Sequence, residues 1–129
     1  MRFQDKHILI TGGTSGIGLA TAKRLHAEGA QVTITYSRDS SAEKAKADLG
    51  DAHYIKNDVG AHDTGALLAA AVRDTRFDGI FLNAGNATFA PLDHVSAAEF
   101  DRQMGMFVRG PLLQAQALAP HLNDGGPWW

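Results

Sequence analysis

The chain has 129 residues, 44% of them hydrophobic, with 12 Lys and Arg against 14 Asp and Glu for a formal charge of −2. That length suits one domain with a single sizeable core, and the charge leaves no basic footprint for nucleic acid or an anionic membrane. There is no cysteine, which excludes disulfides, thiolate metal sites and cysteine nucleophiles; "MRFQDKH" lacks a signal-peptide core, and no apolar run approaches the ~20 residues that span a bilayer, so a cytoplasmic location is expected.

The first element is an apolar burst, "HILIT" at 7–11, which runs into "GGTSGIG" and a helical segment over 16–28. "QVTITY" at 31–36 reads as a second strand, followed by a helix over 40–49 with Ser40 or Ser41 as N-cap and Gly50 as its stop. "AHYIK" at 52–56 is a third strand, 62–74 a third helix, and "GIFLN" at 79–83 a fourth strand. Each burst is short and flanked by Gly, Asp or Asn, the mark of buried strand. The longest helix is expected over 96–122, opened by the capping box "SAAE" with Ser96 as cap and Glu99 three residues on. Phe100, Met104, Phe107, Val108, Pro111, Ala115, Leu118 and Leu122 form an apolar stripe for packing on a sheet, and Gly110 with Pro111 should bend the helix. The final "NDGGPWW" is read as a loop.

Strands alternating with helices at this spacing give βαβ units and a parallel sheet. With right-handed crossovers, strand 4 returns beside strand 1, so the order is 3-2-1-4 and the α/β fold is doubly wound. A crevice opens where the direction reverses, at the carboxyl ends of strands 1 and 4. Those ends are "TGGTSGIG" and "LNAGNA". Bare amides and the positive end of a helix there suit a pyrophosphate. Gly12 permits the tight turn, Gly16 the approach of phosphate oxygens, and Gly18 close helix–strand contact. No Gly-Lys-Ser/Thr follows, so the loop is not a P-loop.

With "TGGTSGIG", "NDV" at 57–59, "NAG" at 83–85 and "FDRQM…VRGPLLQAQALAPHL", the chain resembles the short-chain dehydrogenase/reductase family from residue 6 to about 123. The resemblance implies a Rossmann-type domain over 1–129, an incomplete form of the family's fold, that binds a nicotinamide dinucleotide. It places the pyrophosphate on the glycine loop, with Gly12, Thr14, Ser15, Gly16, Ile17 and Gly18 as contacts. It gives Asp58 the adenine amino group and Val59 the ring, and sets Asn83, Ala84 and Gly85 near the adenosine ribose. Read as residues, Asp58 serves equally as a helix cap, and Asn83 equally bonds backbone at neighbouring strand ends.

An acid about 20 residues past the glycines would bond a free ribose 2′-hydroxyl and favour NAD. Here strand 2 ends Thr35-Tyr36-Ser37-Arg38, with Tyr36 where that acid would lie. Ser37 and Arg38 offer a hydroxyl and a guanidinium to a 2′-phosphate, which favours NADP(H) over NAD(H). The alternative for Arg38 is a solvated loop residue paired with Asp39 or Asp58.

The family's chemistry also uses a Tyr, a Lys four residues later and a Ser. The only tyrosines are Tyr36 and Tyr54, followed four residues on by Ser40 and Asp58. No catalytic residue is therefore assigned, and this segment alone is not expected to turn over substrate. By resemblance, the family's helical Asn aligns with Phe107, which cannot hydrogen-bond and reads as core. The six histidines lack metal-ligand spacing and are taken as surface or strand-end residues, with no metal site. A chain stopping where strand 5 should begin leaves strand 4 as an apolar edge, so self-association, or docking to another subunit, through strand 4 and the 96–122 helix is expected.

Overall fold

The computed structural model describes residues 1–129. Four parallel strands, β1 (His7–Ile10), β2 (Gln31–Tyr36), β3 (His53–Lys56) and β4 (Gly79–Phe81), form one sheet in the order β3-β2-β1-β4. Helices α1 (Gly16–Ala27), α2 (Asp39–Leu49) and α3 (Thr64–Ala71) make the crossovers. The expected order and the expected alternation are both present.

Side chains alternate across a strand, so β1 feeds two cores. Ile8 and Ile10 pack with Val32, Ile34, Ala22, Leu25 and Leu49 on the face covered by α1 and α2. Leu9 packs with Leu68, Val72, Phe77, Ile80 and Leu118 on the other face. A parallel sheet covered on both sides needs an unbroken apolar run, which "HILI" supplies. Each fully buried Ile or Leu adds on the order of 2 kcal/mol. His7 starts the strand half-buried, its ring edge-on to Phe77 with centroids 4.8 Å apart and Nε2 2.7 Å from Thr33 Oγ1. Burial lowers its pKa, and the neighbouring His53 adds to that.

Two helix boundaries are local and simple. Gly50 ends α2 at φ 74°, as expected, but the helix begins at Asp39 with Arg38 as a cap that makes no side-chain bond. Asp39 in the first turn meets the positive helix end, a role that neither Ser40 nor Ser41 fills.

The 96–122 segment departs from the single bent helix. It comprises α4 (Ala97–Met104), a π-turn over Gly105–Arg109, α5 (Gly110–Leu118) and a 3₁₀ turn over Ala119–His121. Ser96 caps α4 as expected, its Oγ accepting from the Glu99 amide at 3.1 Å. The irregularity precedes Gly110, and Pro111 sits in the first turn of α5, where its missing N–H costs nothing. A π-turn inserts a residue and shifts the helix phase. The inward residues are therefore Gly105, Met106, Gly110, Gln114 and Leu118, while Phe100, Met104, Phe107 and Val108 of the expected stripe face outward. Close approach of α5 depends on two missing side chains: a Cβ on Gly110 would strike the Val59 carbonyl, and one on Gly65 the Leu113 carbonyl.

The last residues are not a free loop. The Ile80 amide donates to Pro127 O at 3.1 Å, Trp129 N to Ile80 O at 2.9 Å and Leu82 N to Trp129 O at 2.7 Å. The Trp129 ring lies over Gly79. The expected open edge of β4 is thus paired by the chain's own tail, which α5 delivers back to the sheet. Unpaired edge groups take the nearest extended partner, and here that partner is intramolecular.

Candidate functional site

A cavity of about 500 Å³ lies where the strands end and the winding reverses. Of the residues singled out from the sequence, all but Gly18 line it. Gly12 has φ 67°, and a Cβ there would sit 2.8 Å from Ala84 Cα. Gly16 has φ 53° and open space where a side chain would be, so an incoming group can reach its backbone. Gly18 lies beneath the loop, where a Cβ would collide with the Gly12 carbonyl and lie 2.6 Å from Asn83 Nδ2. Gly12 thus makes the tight turn, Gly16 leaves an opening and Gly18 lets the helix and the loop touch. Ser15 stands at the N-cap of α1 with no side-chain cap bond, so the free amides of the first turn face the cavity.

Two loops are stitched together beneath that turn. Thr11 Oγ1 accepts from the amides of Asn83 and Ala84 at 2.9 and 3.0 Å. Asn83 Nδ2 donates to the carbonyls of Thr11 and Gly12, both at 3.2 Å, which is the structural role weighed for it. The Gly12 amide donates to Thr35 Oγ1 at 3.0 Å.

On the wall that follows β3, Asp58 Oδ1 accepts from the Gly60 amide at 2.9 Å. It does not cap α3, whose N-cap is Asp63. Beside it, Asn57 belongs to a buried polar network: Thr64 Oγ1 donates to Asn57 Oδ1 at 2.7 Å, and Gln114 Nε2 donates to the same oxygen at 3.1 Å. Asn57, Thr35, Tyr36, Ser41, Asn86 and Met106 also line the cavity and were not taken as binding residues from the sequence. Asn57 carried a signal, as the first residue of "NDV".

At the end of β2, Arg38 lines the cavity without an ion pair. Asp39 instead meets Lys56, with Nζ 3.1 Å from Oδ1. Phe107 is 47% exposed rather than core, and its ring lies against Gly85, whose φ is 147°. The π-turn rotates it off the sheet. Arg102 fixes the rim by donating to Thr88 Oγ1 at 2.6 Å and Asn86 Oδ1 at 3.2 Å. The same guanidinium holds the Glu99 carboxyl down to about 2.

The cavity therefore offers backbone amides at a positive helix end, a free guanidinium, hydroxyls and one carboxylate, a donor set for an anionic nucleotide. A doubly wound parallel sheet with a glycine turn at its reversal defines the nucleotide-binding class of α/β domain. Within that class the chain belongs to the short chain dehydrogenase family, whose family model matches residues 6–127. It is 36% identical to versicolorin reductase 1 of Aspergillus parasiticus over 97% of this chain and 50% of that protein. It is 34% identical to levodione reductase of Leifsonia aquatica, again over 97% and 50%. A short-chain dehydrogenase/reductase from Serratia marcescens superimposes with a TM-score of 0.86 at 31% identity, covering 99% of this chain and 55% of that one. A blue fluorescent protein from a metagenomic library, solved with NADPH, gives 0.84 at 28% identity, covering 99% and 56%. The chain spans about half the length of the relatives it matches. No helix is long and apolar enough to cross a membrane.

Proposed function

We propose that residues 1–129 form the NADP(H)-binding portion of an oxidoreductase acting on a carbonyl or alcohol. The observation that carries this reading is the unpaired Arg38 beside Ser37 at the mouth of the cavity, with no carboxylate at the end of β2. Arg38 and Ser37 bind a ribose 2′-phosphate, and the amides of Thr14 to Gly18 receive the pyrophosphate. Asp58 accepts from the adenine amino group, Val59 packs on the ring, and Asn83 to Gly85 support the ribose from below. When bound, the nicotinamide would give a hydride to a carbonyl or take one from an alcohol. The segment contains no Tyr followed four residues later by Lys, so the proton-transfer pair of the family is not within it. Fluorescence titration with NADPH and NADH tests the assignment: NADPH is expected to bind at least about tenfold tighter, and Arg38→Glu to abolish that preference. Equal affinities in the unsubstituted chain would rule out the 2′-phosphate reading.

We also propose self-association through the outward face of α4, the π-turn and α5. Phe100, Met104, Phe107, Val108 and Leu112 are exposed along it, a set of apolar side chains that a partner surface could cover. With β4 paired internally, this helix face carries the contact alone. Sedimentation over a dilution series should show a dimer that Leu112→Asp splits; a monomer at every micromolar concentration contradicts it.

A further inference from the structure

We propose that Arg109 is a positioning residue for Asp58, holding the adenine-side wall of the cavity from the π-turn. This rests on the nucleotide reading of Asp58. Arg109 donates through Nη2 to the Gly60 carbonyl at 2.9 Å, and no other residue accepts from its side chain. Its Nε is buried without a partner, so the guanidinium is committed to that carbonyl. Gly60 is held at both ends, because its amide donates to Asp58 Oδ1. Between Asn57 and the turn that leads into α3, the Asp58–Gly60 stretch has one further backbone bond, from the Ala61 amide to Asp58 O at 3.2 Å, and the Val59 carbonyl packs against Gly110.

The chain of contact is therefore Arg109 to Gly60 to Asp58. One carboxylate oxygen is tied to the Gly60 amide, and the other is left for a donor in the cavity. Losing the Arg109 bond loosens the Gly60–Ala61 peptide, and through the Gly60 backbone angles the preceding peptide unit, which draws the Gly60 amide off Oδ1 and lets the carboxylate turn away. The π-turn is what makes this reach possible: it sets Arg109 across Gly105, with Nη2 2.7 Å from where a Gly105 Cβ would be. A side chain at residue 105 would occupy the path of the guanidinium.

The test compares NADPH with its hypoxanthine analogue, in which the adenine amino group is replaced by an oxo group. The unsubstituted chain should prefer NADPH about tenfold, the worth of one charge-assisted hydrogen bond. Arg109→Met should bring the NADPH affinity down to that of the analogue and leave the analogue's own affinity unchanged. Arg109→Lys, which keeps one donor, should retain part of the preference. If Arg109→Met does not fold, Arg109→Gln, too short to reach Gly60, replaces it with the same expectation. Discrimination that survives intact in the Met or Gln variant, or an equal loss for both ligands, overturns this inference and leaves the nucleotide reading standing. No discrimination in the unsubstituted chain overturns the Asp58 assignment and this inference with it.

Discussion

Thr11→Val should lower the unfolding free energy by about 3 kcal/mol, with the midpoint of urea denaturation shifting accordingly. Thr11 is 1% exposed, and its hydroxyl accepts from two backbone amides, those of Asn83 and Ala84. Valine keeps the shape and removes the acceptor, leaving both donors facing a methyl group. Each buried unpaired donor costs about 1–3 kcal/mol, a large share of the ~5–15 kcal/mol that stabilises a domain. Thr11→Ser separates causes, since it keeps the oxygen and loses only a methyl, for about 1 kcal/mol. If the two variants lose the same stability, the hydroxyl is not what ties β1 to the loop after β4.

Gly18→Ala should weaken NADPH binding by more than tenfold while also destabilising the fold. Alanine is the better helix former by about 1 kcal/mol, so helix propensity alone predicts the opposite sign for stability. Contact decides it. The new Cβ would overlap the Gly12 carbonyl and lie 2.6 Å from Asn83 Nδ2, and both atoms belong to backbone-anchored groups. Overpacking of this kind costs typically 1–3 kcal/mol, and the relief is displacement of the turn proposed above to receive the pyrophosphate. A variant as stable as the parent and binding NADPH unchanged would show that the helix and loop are not in close contact.

Much of this was legible because it is local. Gly12, Gly16 and Gly18 sit at spacings that dictate a turn, an opening and a contact, and the backbone angles and clearances match each task. The strand order followed from handedness and short apolar runs, which leave few topologies for four strands. The misread features depend on distant partners. The phase of the 96–122 segment failed because a π-turn has no hydrophobic period of its own; Gly105 and Gly110, at either end of the shift, look like ordinary small residues. The tail pairs with β4 through the Pro127 and Trp129 carbonyls, and nothing in "GGPWW" states which strand it will meet. Asn57, Thr64 and Gln114 join only when α3 and α5 close on the loop after β3, so three ordinary polar residues gave no warning of a buried network.

The extra peptide unit between α4 and α5 separates two kinds of evolutionary freedom along a single rod. Upstream of Gly105 the apolar positions address the outside, so they can drift with whatever the protein meets there and leave the interior untouched. Downstream of Gly110 the positions that count are those turned inward, Gln114 toward Asn57 and Thr64 and Leu118 toward the core, and exchanges on the opposite side leave the interior alone.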